Sequence, residues 1–180
     1  GVSIHYEIEG DPEAPPLMLH HGWTSDIESW RDFGYVGALE GRFRLIMIDA
    51  RGHGLSDVPD NADDYAPDMF VADVEAVLDA VGVESVTFWG YSMGASNGWA
   101  MGMLAPERVD SMLLGAYPSL PTPASERNRV KWESRAKLMH LGMDVYITAV
   151  EMARGPMTDV QRAALMANDA EAYAAQQIAN

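Results

Sequence analysis

Ser92 stands between two glycines in the run Phe88-Trp89-Gly90-Tyr91-Ser92-Met93-Gly94. The apolar residues before it predict a buried strand, and the turn that carries it opens a helix. A serine on such a strand-to-helix turn forms a nucleophile elbow, G-x-S-x-G. The backbone at the nucleophile is strained, and side chains at Gly90 and Gly94 would strike the neighbouring strand and helix. The chemistry that this arrangement serves is acyl transfer. The hydroxyl attacks a carbonyl carbon, a base takes the hydroxyl proton, and backbone N–H groups hold the negative charge that develops. A serine of this kind needs a histidine base and a carboxylate to orient it. After Ser92 there is one histidine, His140, and the sequence given ends at Asn180.

The elements that must position Ser92 follow from hydrophobic spacing. Residues 2–8 alternate apolar and polar, as in a half-buried strand. Residues 17–20 and 43–48 are short continuous apolar runs, which suit strands covered on both faces. Residues 26–40 predict an irregular first helix. Residues 67–81 are the clearest helix, with Phe70, Val74, Val77, Leu78 and Val81 on one stripe and Gly82 placed to end it. A strand over 85–89 leads into the elbow, a helix over 92–104 follows, and Pro106 stops it. One more strand covers 109–116. Strands alternating with helices predict an α/β fold, a mainly parallel sheet with helices on both faces. From residue 117 on no strand is expected. Helices are expected to about His140 and from about Asp144 to Arg154. A capping box at Thr158-Asp159-Val160-Gln161 opens a last, alanine-rich helical stretch. The division is a core over 1–116 and a helical cap segment over 117–180.

Composition narrows the partners. Twenty-seven acidic residues against twelve basic ones give a net charge of −15. Such a surface repels phosphate backbones and anionic lipid, so neither nucleic acid nor membrane is expected as a partner. No apolar run approaches the ~20 residues needed to span a bilayer. The absence of cysteine excludes disulfides and thiolate metal sites. Together with the lack of a visible signal peptide, it points to a cytoplasmic setting. No acid or histidine cluster has metal-ligand spacing, so neither a metal nor a cofactor is expected.

Three segments together resemble the α/β-hydrolase superfamily: His20-His21-Gly22-Trp23 after one buried strand, Asp49-Ala50-Arg51-Gly52-His53-Gly54-Leu55-Ser56 after the next, and the elbow at Ser92. All three fall at strand C-terminal ends, where open α/β sheets build their sites. The resemblance covers residues 1–116; residues 117–180 match it in position, as an inserted cap. It points to the cap-bearing branch of esterases, lactonases, haloperoxidase-like enzymes and carbon–carbon bond hydrolases. Epoxide hydrolases and haloalkane dehalogenases share that branch but carry aspartate at the elbow. Serine at 92 cannot form their aspartyl ester.

The resemblance implies a role for each site residue. Ser92 is the catalytic nucleophile. Met93 gives its backbone N–H to an oxyanion hole from the helix start, where amides are unsatisfied and the dipole favours negative charge. Trp23 gives the second N–H. Gly22 lets the backbone approach the substrate, and His21, Gly90 and Gly94 shape the site. His53 shapes a turn, which Asp49 and Arg51 fix through hydrogen bonds and an ion pair. In the family the acid and base sit on loops after two further strands, so His140 on a cap helix is a poor fit for the base.

The expectation is a serine hydrolase acting on a small-molecule ester, lactone or related acyl substrate through an acyl-enzyme on Ser92. The acid and histidine are expected beyond residue 180 or lost, and the chain alone is expected to be inactive or weak. The strand over 109–116 then becomes a sheet edge, where a homodimer contact or a complementing C-terminal chain is expected. Two alternatives stand beside this reading: a non-catalytic ligand-binding or interaction module on the same scaffold, and perhydrolase or haloperoxidase-like chemistry on the same serine.

Overall fold

Five strands pair into one sheet in the order β1-β3-β2-β4-β5, with β1 Tyr6–Glu9, β2 Pro16–His20, β3 Arg44–Ile48, β4 Val86–Tyr91 and β5 Val109–Gly115. This computed structural model describes residues 1–117 and 126–179. The pairs β2–β3, β2–β4 and β4–β5 are parallel, and β1 runs antiparallel to β3. Strands buried on both faces need apolar residues at successive positions. Accordingly, Leu17, Met18, Leu19, Leu45, Ile46, Met47 and Ile48 are all buried.

The pleat sends alternate side chains to two separate cores. Met18, Ile46, Ile48 and Phe88 pack with Val71, Val74, Val77 and Leu78 of α3 (Pro67–Ala80) and with Met101 of α4 (Met93–Leu104). Leu17, Leu19, Leu45 and Met47 pack on the other face with Ile27, Trp30 and Val36. Trp30 belongs to α1 (Glu28–Asp32) and Val36 to α2 (Tyr35–Leu39). The single helix expected over 26–40 is thus two short ones. Gly34, at φ +78, takes the left-handed conformation that ends α1 and re-aims the chain into α2. The first strand is also shorter than the alternation suggested, beginning at Tyr6.

Two compact units divide the described residues. One holds residues 1–57 and 67–117, and the other holds 58–66 and 126–179. The second unit contains α5 (Glu126–His140), α6 (Met143–Arg154), α7 (Asp159–Met166) and α8 (Ala170–Ala179). It also holds a short 3-10 turn, Ala62–Tyr65, that packs on α8. The expected opening of this helix at Thr122-Pro123 lies outside the described residues; α5 is described from Glu126 onward. The capping box of α7 closes in both directions. Thr158 Oγ1 accepts the Gln161 N–H at 3.2 Å, and Gln161 Oε1 accepts the Thr158 N–H at 3.0 Å. No described helix is long and apolar enough to cross a membrane.

Candidate active site

The strand order reverses direction between β2 and β4. From β2 the chain crosses to β3 on one side, then returns to β4 on the other. At such a point the loops leaving two adjacent parallel strands diverge and open a crevice at the strand C-terminal ends. Here His20 of β2 is in register with Gly90 of β4. The loop beginning at His21 and the turn beginning at Tyr91 therefore leave the sheet side by side.

The turn after β4 is tight. Ser92 has φ +54 and ψ −107, a conformation that a residue with a side chain adopts at a cost of about 1–3 kcal/mol. Backbone contacts hold it there. The Ser92 N–H donates to Gly115 O at 2.8 Å, the Gly94 N–H to His21 O at 3.1 Å, and the Ala95 N–H to Ser92 O at 3.0 Å. The two glycines of the motif are contact points. A Cβ at Gly90 would lie 2.1 Å from Gly94 O, and one at Gly94 would lie 2.1 Å from His20 O. Gly22 sits across the crevice, where a Cβ would lie 3.4 Å from Ser92 Cβ and 3.3 Å from the Tyr91 ring.

Ser92 is half-buried, and among the described residues its hydroxyl has no hydrogen-bond partner. The Met93 N–H, first in α4, likewise meets no acceptor among the described residues, while the amides on either side of it are used. An unused N–H at a helix N-terminus, one residue from a half-buried hydroxyl, is suited to holding an oxyanion.

Three buried histidines lie at the C-terminal ends of β2 and β3, and none is available as a base for Ser92. His21 Nδ1–H donates to Gly22 O at 2.8 Å, and its Nε2 accepts the Ala50 N–H at 3.0 Å. His53 Nδ1–H donates to Arg51 O at 3.1 Å, and its Nε2 accepts the Thr24 N–H at 3.3 Å. His20 Nδ1–H donates to His21 O at 3.2 Å, while its Nε2 faces Asn97 Nδ2 at 3.2 Å. These bonds define neutral rings. Burial keeps them neutral by penalising the charged form. It pushes the His20 pKa down to about 3, with His21 beside it adding to the fall. Burial also lowers the pKa values of His21 and His53, the latter well below the ordinary range.

Asp49 is the hub of the loop after β3. Its Oδ1 accepts the Ile27 N–H at 2.8 Å, and its Oδ2 accepts from the Leu55 N–H at 3.0 Å and from His5 Nδ1 at 2.8 Å. His5 carried no functional signal in the sequence; its partner Asp49 gives it a structural one. Arg51, on the same loop, reaches α3 and makes two bonds to Asp73, at 2.6 and 2.7 Å, with its guanidinium over the Phe70 ring. Asp73 was invisible in the sequence as a partner because it lies among the acidic residues of an amphipathic helix. In the helical unit, His140 Nδ1 pairs with Glu171 Oε2 at 2.8 Å.

A family model described as alpha/beta hydrolase fold matches residues 15–147, a span holding β2, the loop after β3 and the elbow. This chain belongs to the alpha/beta hydrolase fold family. Among curated members of the family, Epoxide hydrolase 4 of Mus musculus is 27% identical over 118 residues, 66% of this chain and 32% of that protein. The chain thus spans about a third of the length of that relative. Among solved members, the enol-lactonase from Burkholderia xenovorans LB400 is 27% identical with a TM-score of 0.76, covering 98% of this chain and 69% of that one. A hydrolase from Pseudomonas aeruginosa PA01 is 26% identical with a TM-score of 0.79, covering 99% and 68%.

Proposed function

We propose that Ser92 is the nucleophile of a hydrolase acting on a small ester, lactone or related acyl substrate. One observation carries the reading: Ser92 heads α4 at φ +54 with its hydroxyl unpartnered among the described residues, next to the unused Met93 N–H. In this reading Ser92 Oγ adds to the substrate carbonyl, and the N–H groups of Trp23 and Met93 hold the oxyanion. The leaving group departs, and water then hydrolyses the acyl-enzyme. The Ser92 proton goes to a histidine other than His20, His21 and His53, which have both ring nitrogens engaged. A carboxylate orients that histidine.

The serine favours an ester or lactone over an epoxide, since it stands where the epoxide hydrolases carry the aspartate that forms their ester intermediate. The same reading takes the β5 edge, with Met112 and Leu113 exposed, as the place where a further strand or a second copy pairs. Sedimentation of a dispersed monomer over a wide concentration range counts against that pairing.

The deciding experiment is p-nitrophenyl butyrate hydrolysis by the whole protein with Ser92→Ala beside it. Turnover lost in Ser92→Ala supports the reading. Turnover that survives the substitution overturns it.

A further inference from the structure

The loop after β2 would supply the Trp23 N–H to the oxyanion; the Gly22–Trp23 peptide sets the direction of that N–H, and the next peptide sets where Trp23 stands. A trans peptide is planar, so its C=O and N–H point in opposite directions. The Gly22 carbonyl is held by two donors, His21 Nδ1–H at 2.8 Å and the Ser25 N–H at 3.2 Å. That fixes the plane of the Gly22–Trp23 peptide and with it the direction of the Trp23 N–H. The position of Trp23 itself depends on the next peptide, between Trp23 and Thr24. There Thr24 has φ +66, a conformation that a β-branched residue avoids. Strained backbone of this kind persists only where its surroundings over-determine it. Two contacts do so here: the Thr24 N–H donates to His53 Nε2 at 3.3 Å, and Thr24 Oγ1 donates to Trp23 O at 2.6 Å.

His53 comes from a different strand end, and it is anchored there. Its own N–H donates to Ala50 O at 2.9 Å, and its Nδ1–H donates to Arg51 O. Arg51 is in turn fastened to Asp73 and to Met69 O on α3. The imidazole is 2% exposed, with its ring centroid 5.2 Å from that of His21.

We propose that His53 is a positioning residue for the reaction at Ser92: by accepting the Thr24 N–H it fixes the Trp23–Thr24 peptide and so keeps Trp23, whose N–H the Gly22 carbonyl orients, in place at the oxyanion. The inference rests on the serine-hydrolase reading above. It assigns to the loop after β3 a part in transition-state stabilisation without contact to substrate. Because burial keeps the ring uncharged, Nε2 stays an acceptor, which is the form this role requires.

The test uses two substitutions that separate the ring's two bonds. His53→Asn keeps a donor near Arg51 O but has no atom that reaches Thr24. His53→Gln places an amide oxygen near the site of Nε2 and can again accept the Thr24 N–H. p-Nitrophenyl butyrate kinetics would be measured on the whole protein and both variants, with Ser92→Ala as the control, alongside amide hydrogen exchange at Thr24. The expected result is a fall in kcat of about 10- to 100-fold in His53→Asn with KM changed less than about twofold, the size that misaiming one oxyanion donor produces. His53→Gln should recover most of it, and Thr24 exchange should speed up in Asn and slow again in Gln. Unchanged kcat in His53→Asn overturns the proposal. So does a loss that His53→Gln fails to recover while both variants share one lowered melting temperature, because that is the mark of a merely structural residue. If Ser92→Ala retains full activity, the serine-hydrolase reading fails by itself, and Thr24 exchange still decides the clamp: an unchanged rate in His53→Asn refutes it.

Discussion

His21 and His53 hold each other's loops. The Nε2 of His21, on the loop after β2, accepts the N–H of Ala50 on the loop after β3, and the Nε2 of His53, on the loop after β3, accepts the N–H of Thr24 on the loop after β2. Each ring also donates from Nδ1 to a carbonyl of its own loop, Gly22 O for His21 and Arg51 O for His53. The two crossed bonds tie two strand ends that are 29 residues apart in the chain. They also explain why neither histidine is suited to act as a base: protonating either ring removes the acceptor that its partner amide needs.

Acid should therefore loosen this region. In the unfolded chain a histidine titrates near 6.5, whereas in the native state His20 titrates at about 3 and His21 and His53 are also depressed. Below about pH 6.5 the unfolded state binds more protons than the native one, so stability is full above that pH and falls as the pH drops toward 3. For His20 the slope in that window is about 1.4 kcal/mol per pH unit, and His21 and His53 act in the same direction. Urea midpoints between pH 7.5 and 5 check this, and His20→Gln should flatten the slope by about one proton. A midpoint that does not move between pH 7.5 and 5 would show that the three rings are not buried as neutral groups.

The motif glycines should tolerate nothing larger. A Cβ at Gly94 would lie 2.1 Å from His20 O, a backbone atom of β2 that cannot step aside. Gly94→Ala is expected to cost about 3 kcal/mol or more. Gly37 in α2 has nothing within 4 Å of its would-be Cβ, so Gly37→Ala should gain up to about 1 kcal/mol. Urea denaturation of the two variants side by side measures the contrast; equal midpoints would refute the packing given for the elbow.

The Arg51–Asp73 pair is buried, with side chains 5% and 9% exposed. Burial pushes the Asp73 carboxyl up, and the Arg51 guanidinium pulls it part of the way back. Asp73→Asn leaves a buried guanidinium without its counter-charge, and the expected loss is about 3 kcal/mol in a urea titration. The double change Arg51→Met with Asp73→Leu should recover most of it, since an apolar pair of similar volume avoids the desolvation of both ions. A single variant as stable as the wild type would mean that the pair contributes nothing to the fold.

In the helical unit, Thr158→Ala removes the acceptor of the Gln161 N–H at the start of α7. The expected cost is about 1 kcal/mol, with Thr158→Ser nearly neutral because serine caps as well as threonine. Thermal unfolding followed by circular dichroism distinguishes the two; similar losses in both would point to the threonine methyl rather than the cap.

Features set by neighbours in the chain could be read from the residues alone. The 3.6-residue stripe of α3, the continuous apolar runs of β2 and β3, and the capping box of α7 are local patterns, and each element formed where its pattern lies. The alternation of these elements was enough to imply a mainly parallel sheet, because parallel neighbours need a crossover between them. The place of Ser92 between β4 and α4 followed from the same local logic. Contacts between distant segments followed none of it. Arg51 takes Asp73 as its partner, 22 residues away, and His21 takes Ala50, 29 residues away, because β2, β3 and α3 are brought together by sheet order and burial, which no short window contains. Thr24 shows the difference most plainly. Threonine has no intrinsic tendency toward φ +66, so its strained backbone, and the clamp that His53 forms on it, arise only once two strand ends meet in space.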